Sequence, residues 1–243
     1  MKKSIAFGFF LCVIGFSNVC AQDTGWETGV NINLGGTHNL ITNIKPTGQE
    51  FVNIIQKNEF LGWQYSAGFY GRKFFKKNYG IEVGLQYTSF GLQRRIDNVS
   101  FGSDIDPING FTGKPNTLKS SYRHNYFELP IRFVFKKEIK KVELGFFTGL
   151  APAVLTHSYY RTVFIEDKKR TVGKENYTQF SNDFNLIADL GLLLRINITN
   201  NLAIDIKPNF RATVLPTYSE DTSPYFQERF LNLGITASGV WKF

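Results

Sequence analysis

Cysteine, methionine and long apolar runs are scarce in this sequence of 243 residues. The two cysteines, Cys12 and Cys20, lie near the N-terminus, and the one methionine is Met1. Removal of the N-terminal segment after residue 21 leaves no thiol, which excludes disulfides, cysteine-ligated metals and a cysteine nucleophile. Phenylalanine (24) and glycine (22) are abundant instead. This mixture favours sheets, because glycine costs roughly 1 kcal/mol in a helix interior and aromatic side chains pack well on sheet faces.

The first residues have the order of a secretory signal peptide. Two lysines precede an apolar core over residues 5–16, which is too short to span a bilayer, and small side chains lead up to Ala21. We expect residues 1–21 to be cleaved, so that residues 22–243 form one exported domain. Two alternatives stay open: a buried N-terminal strand or helix, and lipoprotein processing at Cys20, which the bulky residue before it disfavours.

Eight segments of the mature chain alternate between apolar and mixed residues. A strand sends successive side chains to opposite faces, so this period of two predicts strands with one apolar face. Each segment has about the 9–11 residues that a tilted membrane strand requires, or slightly more. The segments are residues 26–35, 63–72, 79–89, 126–135, 142–154, 185–196, 202–212 and 231–243.

Charged side chains fall on only one face of these segments, and six of them are acidic and six basic. A barrel in lipid must enclose its charges, where each needs a partner, whereas the polar face of a soluble sandwich meets water. We therefore predict a charge network inside a barrel. Its main members are Glu82, Glu128, Arg132, Asp189, Arg195, Asp205, Lys207 and Arg211. The same face also carries Glu27, Arg72, Glu143 and Lys242.

The connections between the segments alternate in length. Short connections over 73–78, 136–141 and 197–201 separate four long ones, which are residues 36–62, 90–125, 155–184 and 213–230. Short periplasmic turns and long outer loops are typical of outer-membrane barrels. The predicted fold is all-β: an eight-stranded antiparallel up-and-down transmembrane β-barrel in the cell outer membrane, with both ends in the periplasm and lipid around it.

Aromatic residues cluster near both ends of the predicted strands, which is typical of the two interfacial girdles of a membrane barrel. Those expected on the short-turn side are Trp26, Phe75, Tyr79, Phe135, Trp241 and Phe243. Those expected on the long-loop side are Trp63, Tyr65, Tyr87 and Phe127.

One strand carries a resemblance to a known family through Tyr126-Phe127-Glu128-Leu129-Pro130-Ile131, followed by Phe133. This motif resembles the Y-L-E-I-P-L strand of PorT-like outer-membrane barrels of Bacteroidetes, and residues 144–155 resemble the strand after it. The resemblance implies an eight-stranded outer-membrane barrel and, for some members, a part in type IX protein secretion. Pro130 and Pro208 cannot donate to a strand ladder, so we expect a bulge or a local break in pairing at each.

Lysines concentrate in two of the short turns. They are Lys73, Lys76, Lys77, Lys136, Lys137, Lys140 and Lys141. Their charge less that of Glu138 is +6, which equals the whole net charge of the chain after residue 21. Two explanations stay open. The lysines attract anionic lipid of the inner leaflet, at about 1 kcal/mol per charge, or they dock an acidic periplasmic or secretion-system protein.

The chain ends in Trp241-Lys242-Phe243, an amphipathic strand end with a free edge before the barrel closes. Trp241 and Phe243 resemble the aromatic C-terminal signal that the barrel-assembly machinery reads. We therefore expect that machinery to be a partner of the newly exported chain.

Catalysis and solute conduction both have weak support. Eight strands enclose a lumen that side chains fill, so the charges predict a structural plug, with a proton or ion path as the alternative. His38, His124 and His157 lie in or beside the long loops, where we expect solvated surface residues, and they match no metal or triad spacing. No cofactor is predicted, and the mixed charges of residues 166–170 argue against a nucleic-acid site.

We therefore predict a non-enzymatic membrane component that offers loops or turns to partners, in protein secretion if the resemblance extends to function. The alternatives are a hydrolase or acyltransferase active at the barrel rim and a conduit for small solutes.

Overall fold

The structure is a computed structural model, and it describes most of the chain from residue 25 onward. The described residues are 25–43, 49–75, 77–99, 116–139, 142–166, 169–176, 178–218 and 226–243. The predicted signal peptide over residues 1–21 lies outside the described residues, and so do Lys76, Lys140 and Lys141.

Antiparallel strands make up nearly all of the described chain. In chain order the elements are β1 (Trp26–Asn43), α1 (Gln49–Asn58), β2 (Glu59–Phe60), β3 (Gly62–Phe75), β4 (Tyr79–Val99), β5 (Asn116–Glu128), β6 (Ile131–Ile139), β7 (Val142–Glu166), β8 (Lys169–Asn176), a 3-10 turn (Thr178–Phe180), β9 (Phe184–Asn197), β10 (Leu202–Thr213) and β11 (Phe226–Lys242). Among these elements no helix has the length and the apolar character needed to cross a membrane.

The strands close into a ring. Each strand pairs antiparallel with its neighbour in the order β1, β3, β4, β5 with β6, β7, β9, β10 and β11, and β11 pairs back with β1. Strands β5 and β6 are two halves of one barrel strand, so the ring has eight members. The predicted eight-stranded barrel is therefore confirmed, and each of the eight alternating segments lies in it.

Both prolines interrupt the pairing, as expected. The break between β5 and β6 falls at Leu129 and Pro130, where the Gly84 N–H donates to the Pro130 carbonyl at 3.0 Å and so keeps β4 attached. In the β9–β10 ladder, Ile206 and Asn209 have partners while the two residues between them, which include Pro208, have none. The missing N–H of proline explains why the pairing lapses there.

The long connections differ from the prediction, because much of their length is strand. The predicted loops 90–125 and 155–184 contain the outer halves of β4, β5 and β7 and all of β8. The predicted loop 36–62 contains the end of β1 and the helix α1. Strand pairing continues there, but the outward side chains mix polar residues with apolar ones such as Leu40 and Val172. The alternation of polarity that marked the segments therefore ends before the strands do.

An apolar band surrounds the barrel between two girdles of aromatic residues. Within the band, the outward side chains of Ile32 and Leu34 are 61% and 62% exposed, which a soluble protein seldom tolerates over a whole surface. At one edge Tyr79 packs on Phe135, and at the other Tyr87 packs on Phe127, with ring centroids 5.2 and 5.6 Å apart. The part of the barrel beyond the girdle of Trp63, Tyr65, Tyr87 and Phe127 is termed the outer extension.

Candidate functional site: the charged barrel interior

The eight residues predicted to form an interior charge network all point inward and are buried. The most exposed of them is Arg132, at 7%. They belong to β4, β5, β6, β9 and β10, so the closure of the barrel brings them together across the lumen. The set is Glu82, Glu128, Arg132, Asp189, Arg195, Asp205, Lys207 and Arg211.

At the end of the barrel nearest the short turns, two arginines share two carboxylates. Arg195 donates to Asp205 at 2.6 and 3.0 Å and to Glu27 at 2.5 and 2.8 Å. Arg72 donates to the same two carboxylates, each at 3.1 Å. Glu27 and Arg72 therefore join the network, and their inward position in the alternation had already indicated this.

Glu82 is the centre of the network, because three cations from three different strands contact its carboxylate. Arg72 donates through Nε at 3.0 Å, Arg132 through Nη1 at 2.7 Å and Lys207 through Nζ at 3.3 Å. Arg132 also donates through Nε to Asp189 at 2.8 Å, which links the centre to β9. Every charge here has a partner of opposite sign, which a buried ion requires.

A third group of polar side chains lies above this centre. Glu128 forms an ion pair with Arg211 and also accepts a hydrogen bond from the Gln86 amide at 2.5 Å. The Asn33 amide donates to Asn209 at 3.0 Å and to the Thr236 hydroxyl at 2.7 Å. Residues on β1, β4, β5, β10 and β11 are thereby joined across the lumen.

One lysine of the predicted basic turns does not belong to them. Lys136 lies on β6 and turns its ammonium inward, 2.7 Å from Glu143 and 3.5 Å from Glu27, and 4.1 Å from the centroid of the Phe74 ring. The placement of Lys136 on the basic turn was therefore wrong. The even positions of β6 face the lumen, and Lys136 continues the alternation that begins at Arg132.

The other described lysines of these turns point away from the lumen. Lys73 lies 5.2 Å from the ring centroid of Trp26 and 5.8 Å from that of Phe75, beside the aromatic girdle nearest the short turns. Lys77 and Lys137 are exposed. Lys77 has a φ of 61°, a left-handed conformation that allows the tight turn between β3 and β4.

The two C-terminal aromatic residues complete the closure of the ring. Trp241 lies opposite Thr28 of β1 and opposite Leu202 of β10. The Phe243 N–H donates to the Trp26 carbonyl at 3.0 Å. The strand end predicted as an assembly signal is therefore also the place where the first and last strands meet.

An aromatic layer covers the charge network on the side of the outer extension. Phe90 stacks on Phe230 with centroids 5.5 Å apart, and it meets Tyr126 edge-on at 6.1 Å. All three rings are buried, and Leu92 and Ile187 pack in the same cluster. The alternation of polarity did not reveal this layer, because Phe90 and Phe230 lie in predicted loops, although both continue the inward positions of the adjacent segments.

A second charged cluster lies above the aromatic layer. Arg94 contacts Glu228 at 2.8 Å and Glu59 at 3.9 Å. Glu59 also accepts the backbone N–H of Asn39 at 2.7 Å and lies 3.4 Å from His38, and burial raises the pKa of its carboxyl. Two carboxylates share one arginine here, so this cluster is richer in acid than the network below.

His124 differs from the expectation of a solvated surface residue, because it is completely buried in the outer extension. Its Nδ1 lies 3.0 Å from the Ser158 hydroxyl, and its Nε2 lies 3.3 Å from the Tyr218 hydroxyl. Even positions of β5 face inward, so the strand pairing decides its burial. His157 is exposed, as expected. In the described part of the chain no three histidine or acidic side chains are placed to bind a metal ion.

An apolar outer band, a closed ring of strands and buried interior charges are together typical of a barrel that spans a lipid bilayer. A family model described as "Outer membrane protein beta-barrel domain" matches residues 20–212. The chain belongs to this family. It is an outer-membrane β-barrel protein, so the lipid of the outer membrane surrounds it. No match to a curated protein was found for the sequence.

Solved structures of small outer-membrane barrels are similar to this chain over most of their length. Neisserial surface protein A is 6% identical, with 89% of this chain and 98% of that chain covered and a TM-score of 0.41. Ail of Yersinia pestis, solved with the heparin analogue sucrose octasulfate, is 11% identical over 90% and 99%, with a TM-score of 0.34. The outer-membrane protease OmpT of Escherichia coli is 10% identical over 93% and 99%, with a TM-score of 0.46.

Proposed function

We propose that this protein is a non-enzymatic scaffold of the outer membrane, which holds binding surfaces on both sides of the bilayer and serves type IX protein secretion. The observation that carries the scaffold role is the filled interior. Ion pairs centred on Glu82, the aromatic layer of Phe90 and Phe230, and the cluster around Arg94 follow one another along the barrel axis. A barrel packed in this way is a rigid support for the surfaces at its two ends.

The filled interior also argues against a conduit for small solutes. In planar bilayers we expect the purified protein to give no steady ion current, while a 16-stranded porin measured in the same way conducts. Regular single-channel steps from the purified protein would contradict the scaffold and favour the conduit.

The enzyme alternative has one observation in its favour, the contact between His124 and Ser158. Both side chains are buried, and the neighbours of the imidazole in the described residues are hydroxyl groups rather than a carboxylate. A hydrolase needs a nucleophile that substrate reaches and a group that orients the base. We expect a fluorophosphonate probe to leave the folded protein unlabelled; labelling that Ser158→Ala abolishes would support the enzyme.

The part in secretion rests on the family resemblance and on the exposed lysines of the short turns. Deletion of the gene should remove a set of proteins from the culture medium, and the wild-type gene should restore them. An unchanged secretome would reject the secretion role while leaving the barrel intact.

Substitution of the lysines in the short turns distinguishes a protein partner from a lipid partner. We expect Lys73→Glu, Lys77→Glu and Lys137→Glu together to reduce secretion at a normal level of inserted protein. Lys57→Glu, an exposed change of the same kind on α1, is the control. Reduced insertion with unchanged secretion per inserted molecule would show that the lysines act on inner-leaflet lipid instead.

A further inference from the structure

Basic side chains gather on one outward face of the outer extension. They come from four adjacent strands, β4, β5, β7 and β8. This basic face consists of Arg95, Lys119, Arg123, Arg161 and Lys174.

Strand pairing places these residues side by side. Arg95 lies directly opposite Lys119, and Arg161 lies directly opposite Lys174. On β5 the alternate residues, such as His124, are buried inside the barrel, so Lys119 and Arg123 point outward.

Like charges directly opposite each other destabilise a pair of strands. The acidic neighbour on this face is Asp97, which accepts a hydrogen bond from Arg95 Nε at 2.9 Å and also interacts electrostatically with Lys119. In the part of the chain that the structure describes, Lys119, Arg161 and Lys174 form no ion pair with a carboxylate. Among the described residues, the face therefore carries more positive than negative charge.

The height of the basic face on the barrel indicates what compensates this charge. The Arg123 guanidinium lies 5.2 Å from the ring centroid of Tyr65, which belongs to the aromatic girdle below the outer extension. It also donates to the Ser89 hydroxyl at 3.0 Å. The Lys174 ammonium lies 4.4 Å from the centroid of the Tyr159 ring. The face thus begins where the apolar band ends, which is the level of lipid headgroups.

We propose that the basic face binds the phosphate groups of lipids in the outer leaflet. Guanidinium and ammonium groups are the side chains that bind phosphate in proteins. A lipid headgroup meets them without leaving the bilayer, since its acyl chains lie against the apolar band directly below. This proposal uses the orientation in which the short turns face the periplasm. It goes beyond the scaffold role and does not depend on that role.

The test uses bisphosphorylated hexa-acyl lipid A as the probe, with the full-length mature protein in detergent micelles at about 0.15 M salt. The variant is Arg161→Gln with Lys174→Gln, which removes one cross-strand pair of like charges. The matched control is Lys57→Glu, which removes the same two units of positive charge at an exposed site elsewhere. Heat-modifiable migration on gels verifies that each barrel is folded.

Each basic residue near a charged headgroup contributes roughly a factor of five in affinity, so we expect the double variant to bind about 30-fold more weakly. The control should bind as the wild type does, and dephosphorylated lipid A should bind wild type and variant equally weakly. Equal binding of phosphorylated and dephosphorylated lipid, or an unchanged double variant, would overturn the proposal. Inorganic pyrophosphate or a heparin oligosaccharide that binds as tightly as the lipid would assign the face to a soluble anion instead.

Discussion

Arg195 and Asp205 lie directly opposite each other on β9 and β10, and the guanidinium donates to both carboxylate oxygens. The two residues are ten positions apart in the sequence, and the short turn between the strands places them opposite each other. Both side chains are completely buried. A contact through two hydrogen bonds is geometrically specific. We infer that this pair sets the register of the β9–β10 hairpin.

Removal of the central carboxylate should strongly destabilise the barrel. Glu82→Gln leaves Arg72, Arg132 and Lys207 without the charge that they share, and breaking a buried ion pair in this way costs about 3–5 kcal/mol. Urea unfolding in phospholipid vesicles, followed by tryptophan fluorescence, measures the loss.

The control for this variant is Asp97→Asn in the outer extension, whose ion pair with Arg95 has both side chains about half exposed. Exposed ion pairs contribute little, so the loss should be much smaller than that of Glu82→Gln. Similar losses for the two variants would show that the network has no buried centre.

The aromatic layer should contribute as a unit. Phe90→Ala and Phe230→Ala each create a cavity and should each cost about 3–5 kcal/mol of unfolding free energy. Because the two rings stack on each other, the double variant should cost less than the sum, by about 0.5–1.5 kcal/mol. Strict additivity in the same unfolding assay would show that the rings act independently.

The outer cluster should make opening of β2 depend on pH. Burial raises the pKa of the Glu59 carboxyl above its ordinary 4.5, so the folded state binds a proton at a higher pH than the opened state does. Opening should therefore become less frequent as the pH falls from neutral towards 4.5. Hydrogen exchange of the Asn39 amide, corrected for the intrinsic rate, reports it.

Glu59→Gln is the matching control, because glutamine still accepts the Asn39 N–H but does not titrate over this range. The variant should remove most of the pH dependence of protection. A dependence that persists unchanged would assign the effect to other groups.

The C-terminal residues should be needed for assembly. Deletion of Trp241–Phe243 removes the contacts of β11 with Trp26 and Thr28, so the first and last strands no longer meet at that end. We expect the amount of protein in the outer membrane to fall several-fold, whereas Trp241→Phe, which keeps an aromatic strand end, should assemble normally. Outer-membrane fractionation and gel migration decide the matter, and a normal yield of the truncated chain would refute the prediction.

The interior network was accessible from sequence because a strand alternates strictly. A residue such as Asp189 or Arg211 is assigned to the lumen as soon as its apolar neighbours are assigned to lipid. The aromatic layer and His124 were not accessible in the same way. They lie beyond the girdles, where no lipid imposes apolar residues on the outward side, and the alternation of polarity stops there although the alternation of side chains continues.

The amino-acid sequence alone determined the eight alternating segments, the enclosure of the charges and the outer-membrane location, because the contrast between lipid and lumen is present in every strand. Only the tertiary structure decided which charges meet, that Lys136 turns inward and that the predicted long loops are largely strand. These depend on register between strands distant in sequence, and a shift of one residue in register would exchange the lumen and lipid faces.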